Sequence, residues 1–183
     1  MLQKVNLPII ENILSSDEFV NASEKIKYLK EKCAIDDAHI EYIAEITTGQ
    51  SQNEKWFLLR KHRLPASNFG TILAACQRNR FPDSLFKTLT GSYSPEGVKA
   101  IQWGKTHEQS GIDFLKSDLN KDIRPTGLWL SNTGILGASP DGLIDNDTIV
   151  EIKYPRKPFF NKKKTKYIVY LDFARSNKGD NGL

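Results

Sequence analysis

The sequence predicts an α/β fold, in which a twisted, mixed sheet of about four strands is flanked by helices and follows an all-helical segment. Two patterns support this prediction. Apolar residues recur at helical spacing early in the chain, for example over residues 22–33. From Ile123 onward, short apolar runs separated by turn residues are typical of strands. We therefore expect a helical segment at residues 1–50 and one α/β domain at residues 51–183.

The composition is that of a folded protein with a mild positive charge. Hydrophobic residues make up 39% of the chain, enough to bury a core, and 26 basic residues against 22 acidic ones give a net charge of +4. Two cysteines are too few for a disulfide framework. No stretch approaches the ~20 apolar residues of a membrane span, and the first residues lack the pattern of a signal peptide. We expect an intracellular protein, nuclear or cytoplasmic, that is not secreted and has no membrane partner.

Capping residues indicate where the helices begin. Ser15 and Glu18 have the spacing of a capping box, and Asp36 could cap the next helix. Ser67 stands where an N-cap would open a later helix. Residues 79–97 contain several prolines and glycines and are expected to form a loop.

A long helix is predicted from about Val98 to Leu115. One acidic residue, Glu108, falls within its apolar stripe, and charged groups seldom point inward without a partner. Either Glu108 lies at the edge of the stripe in water, or it holds a cation. The residues that share this face are Ile101, Gly104, Glu108, Ile112 and Leu115.

A β-hairpin is predicted around the turn-like sequence Asp145-Asn146-Asp147. In its second strand, Val150 and Ile152 point to one face, while Glu151 and Lys153 point to the other. Asp141 lies on the partner strand, where pairing can bring it within reach of Glu151. The strands expected are residues 127–130, 135–144, 148–154 and 167–173.

Two carboxylates and an ammonium group in this arrangement suit hydrolysis of a phosphodiester. Asp141 and Glu151 offer the hard oxygen ligands that Mg²⁺ prefers, and Lys153 can orient the attacking water and screen charge. Mn²⁺ is expected to substitute for Mg²⁺. Glu108 is the natural further ligand for a second metal ion. The alternative is that Glu151 and Lys153 form an ordinary exposed charge pair.

A basic run follows the hairpin. It attracts phosphate backbone by releasing counterions, although a solvated loop is the alternative interpretation. We expect Arg156, Lys157, Lys162, Lys163 and Lys164 to contact the DNA backbone. The seven basic residues of the run are Lys153, Arg156, Lys157, Lys162, Lys163, Lys164 and Lys166.

Several segments, in order, resemble a known family: the exonucleases of the phage lambda type, grouped as YqaJ-like viral recombinases within the PD-(D/E)xK nuclease superfamily. The matches span roughly residues 50–172, and four ordered blocks are far more specific than the hairpin alone. Pro65 stands where the family usually has Thr. The matching residues are Trp56, Arg60, Ala66, Ser67, Phe69 and Gly70; Trp103, Gly104 and Glu108; residues 137–142; and residues 150–153 with Pro155.

The resemblance implies a restriction-endonuclease-like core and an enzyme that degrades duplex DNA from a 5′ end. It implies Asp141, Glu151 and Lys153 as catalytic residues, and it adds Glu108 and Ile152 to Asp141 and Glu151 as the metal site. By the same resemblance, Arg60 and Ser67 would hold the 5′-terminal phosphate, double-stranded DNA ends would be the partner, and the chain would assemble as a homotrimer. On sequence alone, Ser67 could equally be a plain N-cap and Arg60 an exposed helix residue.

Two departures from the family pattern concern the end of the chain. Relatives continue after the strand near residue 170 into a helix with a Tyr-rich, Gln-x-Gln-type motif, whereas this chain ends at Leu183. The connection after Pro155 is also shorter and more basic than in many relatives. We therefore expect a C-terminally truncated copy of the domain. Two alternatives follow: an inactive remnant that binds DNA ends, or an endonuclease that shares the hairpin chemistry.

Overall fold

The computed structural model describes residues 6–90, 99–145, 148–153 and 167–172. They combine helices with small sheets, as the sequence predicts. The α-helices are α1 (Ile10–Leu14), α2 (Asp17–Val20), α3 (Lys25–Cys33), α4 (Asp37–Ile46), α5 (Glu54–Arg60), α6 (Phe69–Gln77), α7 (Asp83–Leu89) and α8 (Lys99–Leu119). The strands are β1 (Leu64–Pro65), β2 (Trp129–Leu130), β3 (Leu136–Ala138), β4 (Gly142–Ile144), β5 (Thr148–Lys153) and β6 (Tyr167–Asp172), and short 3₁₀ helices occupy Gln50–Gln52 and Ala66–Asn68.

The chain divides into two compact units. The first consists of Met1–Ser94 and Gly127–Ser139 and contains α1 to α7 with a sheet of order β1-β3-β2. This sheet is mixed, because β1 runs parallel to β3 and β2 runs antiparallel to it. Helix α4 packs against β2. The buried apolar residues of this unit are Ile43, Leu59, Leu128 and Leu130, with Leu7, Ile9, Ile35, Ile46 and Trp56 packed around them.

A buried arginine joins three segments of the first unit. Arg63 is only 1% exposed. Its Nε donates to Gly134 O at 2.7 Å, its Nη2 donates to Pro8 O at 2.6 Å, and its Nη1 donates to Leu59 O at the end of α5. Burial lowers the pKa of Arg63 to about 10, so the side chain remains charged at neutral pH. Each arm of the guanidinium therefore satisfies a backbone carbonyl that would otherwise be buried without a donor.

The second unit consists of Pro95–Thr126 and Pro140–Leu183 and contains α8 with an antiparallel sheet of order β4-β5-β6. Helix α8 packs against β5. The two elements lie close together at Gly111, where an added Cβ would lie 2.6 Å from Cγ2 of Ile152. The buried cluster between them consists of Leu115, Ile123, Ile144, Val150 and Ile152, with Ile112 packed against it.

Several sequence predictions differ from these elements. The expected single strand over residues 135–144 is two strands, β3 and β4, because Pro140 between them has no backbone N–H to donate to a ladder. The described strands therefore form two three-stranded sheets rather than one of four. Residues 83–89, expected to be loop, form α7, which begins directly after Pro82 and buries Leu85.

Two helix caps also differ from prediction, and one is confirmed. Ser16, rather than Ser15, caps α2 and accepts a hydrogen bond from the N–H of Phe19 at 3.2 Å. Ser67 is not an N-cap, because it lies inside the 3₁₀ turn that precedes α6. Asp36 caps α4 as predicted and accepts from the N–H of His39 at 2.8 Å. Among the described helices, none has the length and apolar character needed to cross a membrane.

Candidate active site

The predicted hairpin is formed by β4 and β5, and Asp141 precedes its first strand. Gly142 pairs with Val150, so the next register position outward sets Asp141 opposite Glu151. Asp141 is bonded to both neighbours of Glu151. Its N–H donates to Val150 O at 2.9 Å, and its Oδ2 accepts from the N–H of Ile152 at 2.5 Å. The expectation that pairing brings Asp141 close to Glu151 on the adjoining strand is therefore met.

The alternation of β5 also follows the prediction where side chains are described. Val150 is fully buried and Ile152 nearly so, and both belong to the apolar cluster beneath the sheet. Glu151, between them, is half-buried. The burial of Val150 and Ile152 fixes the face to which Glu151 points, because turning the strand over would expose both apolar side chains to water. The side chain of Lys153 lies outside the described part of the structure.

Glu108 lies on α8, three residues before the glycine that touches β5. Its side chain is half-buried, one turn from Ile112, which packs against the buried cluster, and two turns from Leu115 within that cluster. The expectation that Glu108 falls within the inward-facing stripe therefore agrees with the packing of the helix. No group of three or more acidic, histidine or cysteine side chains that could hold a metal ion is assembled within the described ranges. The complete ligand set stays a prediction.

The donor chemistry that is present suits a divalent cation. Carboxylate oxygens are the ligands that Mg²⁺ prefers; Asp141 supplies them from just before β4, and Glu151 supplies them from β5. The hydrogen bond from Ile152 fixes the orientation of the Asp141 carboxylate, and such outer contacts hold metal ligands in place. Asp141 and Glu151 therefore fit the residues expected to hold the ion.

The predicted phosphate-binding pair lies in the first unit. Arg60 ends α5, and its Nη2 lies 3.5 Å from Oγ of Ser67, at the far limit of a hydrogen bond. Asn68, the N-cap residue of α6, makes no side-chain capping bond. Burial lowers the pKa of Arg60 from its ordinary value. A partly desolvated guanidinium beside a hydroxyl is an arrangement that can bind an anion.

Trp56 was not predicted to make specific contacts, although it is one turn before Arg60 on α5. The guanidinium carbon of Arg60 lies 4.9 Å from the centre of the Trp56 ring. The indole Nε1–H donates to Oγ of Ser139 at 2.8 Å. No local sequence signal could have revealed the second contact, because 83 residues separate its partners.

The residues predicted to contact the DNA backbone follow β5 in the sequence. Arg156, Lys157, Lys162, Lys163 and Lys164 lie outside the described residues.

A model of the YqaJ-like viral recombinase domain matches residues 55–170, which is more than half of the chain. The chain belongs to this family. Membership confirms the resemblance drawn from the four sequence blocks and implies a nuclease-type enzyme. The search of curated proteins gave no match.

All of the candidate site residues lie inside the segment that matches the YqaJ-like family, whereas α1 to α4 precede it. The family match therefore gives no information about helices α1 to α4.

Proposed function

We propose that this YqaJ-like domain is a metal-dependent exonuclease that hydrolyses the phosphodiester bonds of duplex DNA from a 5′ end. The observation that carries the proposal is the bonding of Asp141 to both neighbours of Glu151, within the segment that matches the family. This pairing supports the proposal because it sets Asp141 opposite Glu151 in the register of the hairpin, and metal-assisted hydrolysis requires carboxylate ligands close together. We further propose a restriction-endonuclease-like core for this part of the chain.

In this proposal Asp141 and Glu151 hold Mg²⁺, and Mn²⁺ replaces it. Ile152 has a buried, apolar side chain, so its contribution would be the backbone carbonyl. When bound, the ion polarises the phosphate and lowers the pKa of a coordinated water. Glu108 is proposed as the additional acidic ligand because it lies on the face of α8 that packs against β5.

Lys153 is proposed to orient the attacking water and to offset the negative charge that develops on the phosphate. Lys153 is the last residue of β5 and lies two residues after Glu151. Side chains two apart on a strand share a face, so Lys153 belongs on the same side as Glu151.

Arg60 and Ser67 are proposed to bind the 5′-terminal phosphate. The guanidinium offers paired donors to phosphate oxygens, and the hydroxyl adds a third donor. The 3.5 Å separation of Nη2 and Oγ keeps both groups close while their mutual bond is weak, so both can turn toward an anion.

The remaining parts of the proposal rest on the family. The basic residues after Lys153 would follow the DNA backbone, and the chain would act as a homotrimer on double-stranded DNA ends inside the cell. Binding should therefore weaken steeply as salt concentration rises.

The decisive experiment offers the protein a linear duplex that carries a 5′ phosphate and a labelled strand, with and without Mg²⁺. We expect shortening of one strand from its 5′ end that depends on Mg²⁺ and is abolished in Glu151→Gln. Glu45→Gln, a change at an exposed position of α4 outside the matched segment, is the control and should cut like the unaltered protein.

The other outcomes separate the competing functions. Cutting of covalently closed circles would indicate an endonuclease. Salt-dependent binding to DNA ends without metal-stimulated cutting would indicate an inactive end-binding protein, and digestion that is indifferent to Glu151→Gln would reject the proposed site.

A further inference from the structure

Gly111 lies in the middle of α8, at the point where this helix meets β5. The residue is buried, and an added Cβ would lie 2.6 Å from Cγ2 of Ile152 and 3.6 Å from its Cγ1 and Cδ1. Carbon atoms in ordinary contact are about 3.5–4.0 Å apart, so a larger residue here would displace α8 or β5 by about 1 Å. A glycine inside a helix weakens that helix relative to alanine, so Gly111 needs a reason outside the helix. The close approach of β5 supplies that reason.

Ile152 has little room to move away from a side chain at position 111. It is only 8% exposed and belongs to the buried apolar cluster beneath the sheet. Its Cγ2 is bonded directly to the branched Cβ, and the χ1 angle of such a side chain is restricted. Its backbone N–H is also bound to Oδ2 of Asp141 at 2.5 Å. A new methyl group at Gly111 would therefore move the backbone of β5 or push α8 away.

The two elements that meet at Gly111 both carry residues proposed to hold metal. On β5, Glu151 directly precedes Ile152, whose backbone carbonyl is itself a proposed ligand. On α8, Glu108 is half-buried and lies three residues before Gly111, so the two positions share one side of the helix. Groups in a working site have to be held within about 0.5 Å of their positions. A displacement of about 1 Å at the contact is larger than this tolerance.

We propose that Gly111 is a positioning residue for the metal site, because its missing side chain sets the distance between α8 and β5. The inference rests on the metal-binding roles of Glu108, Glu151 and Ile152 in the proposed function. Gly111 itself touches neither metal nor DNA. It lets α8 lie near enough to β5 for the Glu108 carboxylate to share an ion with the ligands of the hairpin.

The test measures binding of Mn²⁺ to the protein without DNA, from the electron paramagnetic resonance signal of the Mn²⁺ that stays free. Gly111→Ala should weaken the affinity about ten-fold, the size of effect expected for a group that orients metal ligands. Glu108→Gln should weaken it by a similar factor. The double variant should bind no more weakly than the weaker single variant, because Gly111→Ala has already withdrawn Glu108 from the ion. A merely structural role of Gly111 would add a separate loss to that of Glu108→Gln.

A compensating change on β5 tests the distance directly. Ile152→Ala removes Cγ2, whereas Ile152→Val keeps it. Gly111→Ala combined with Ile152→Ala should therefore bind Mn²⁺ as tightly as Ile152→Ala alone. Gly111→Ala combined with Ile152→Val should bind about ten-fold more weakly than Ile152→Val alone. Gly70→Ala makes the same exchange on α6, where no atom lies within 4 Å of the added Cβ, and should leave the affinity unchanged.

Circular dichroism establishes which variants are folded. A folded Gly111→Ala that binds Mn²⁺ like the unaltered protein would overturn the inference, and so would losses that multiply in the double variant with Glu108→Gln. If Gly111→Ala does not fold, the variant that combines it with Ile152→Ala decides. Weaker binding by that folded variant than by Ile152→Ala alone would overturn the inference, because the contact at Cγ2 has been removed.

The same measurements separate this inference from the proposed function. Absence of Mn²⁺ binding by the unaltered protein would reject the proposed metal site, and the role of Gly111 with it. If Glu151→Gln abolishes binding but Glu108→Gln and Gly111→Ala change nothing, the hairpin site stands while the role of Gly111 is wrong.

Discussion

The carboxylate of Asp141 accepts a hydrogen bond from the backbone N–H of Ile152 at 2.5 Å. This bond gives Asp141 a structural role at the end of the β4–β5 hairpin, in addition to the metal-binding role proposed for it. The two roles need different things from the side chain. The hydrogen bond needs an acceptor oxygen, whereas the metal needs a negative charge.

Substitution of Asp141 should separate these roles. Asp141→Asn keeps an acceptor, so the free energy of unfolding should change by less than about 1 kcal/mol, while Mg²⁺-stimulated cutting falls by about 100-fold or more. Asp141→Ala removes both and should also lower the free energy of unfolding by about 1–3 kcal/mol. Urea unfolding and cleavage rates measure the two effects. An alanine variant as stable as the parent would show that the bond contributes nothing.

Arg63 should be among the residues most sensitive to a conservative change. Arg63→Lys retains the charge but cannot reach three carbonyls in three directions, so we expect a loss of about 2–4 kcal/mol in the free energy of unfolding. Arg78→Lys, at an exposed position just after α6, is the control and should change stability by less than about 0.5 kcal/mol. Equal stability of the two variants would contradict this role of Arg63.

Alanine substitution at two helical glycines, Gly111 and Gly70, should change the stability of the protein in opposite directions. An alanine Cβ at Gly111 would lie 2.6 Å from Cγ2 of Ile152, so Gly111→Ala should destabilise the protein by about 1–3 kcal/mol. At Gly70 no atom lies within 4 Å of the added Cβ, and Gly70→Ala should stabilise by up to about 1 kcal/mol. Thermal unfolding of both variants measures the difference. No destabilisation by Gly111→Ala would count against the packing of α8 on β5, and destabilisation by Gly70→Ala would contradict the open space beside Gly70 on α6.

The cap of α4 should make stability depend on acid pH. The backbone N–H of His39, followed by its side chain, lowers the pKa of Asp36 below its ordinary value of 3.8. The folded protein therefore favours the charged form, so the cap stabilises above the ordinary value and is lost as the pH falls through the lowered pKa. Asp36→Asn caps a helix about as well without titrating. In urea unfolding between pH 7 and pH 2, the advantage of the parent over the asparagine variant should shrink at the acid end; a constant difference would refute the assignment.

Much of the hairpin could be predicted because its signals are local. Alternating apolar and charged residues around a turn determine which side chains of β5 are buried, and Val150 and Ile152 lie where that pattern places them. The stripe on α8 was predictable for the same reason, since its spacing follows the helical repeat. The prediction of a loop was wrong for residues 83–89, which form α7, because a proline just before the first turn is compatible with a helix.

Contacts between distant segments could not be predicted. Arg63 stands in a stretch with no unusual pattern, and its carbonyl partners at Pro8 and Gly134 lie 55 and 71 residues away. The bond between Trp56 and Ser139 spans 83 residues. Periodicity describes one element at a time, so it carries no information about which elements meet.

The hydrogen bonds that Asp141 makes to Val150 and Ile152, on either side of Glu151, have a consequence for the evolution of the hairpin. Strand faces alternate at every residue, so gain or loss of one residue within β4 would offset every pair between Gly142 and Ile144 and their partners. Either the apolar cluster would lose Val150 and Ile152 to solvent, or Asp141 would face a hydrophobic side chain in place of an acidic one. Insertions and deletions should therefore occur elsewhere in the chain, while the number of residues in β4 stays constant.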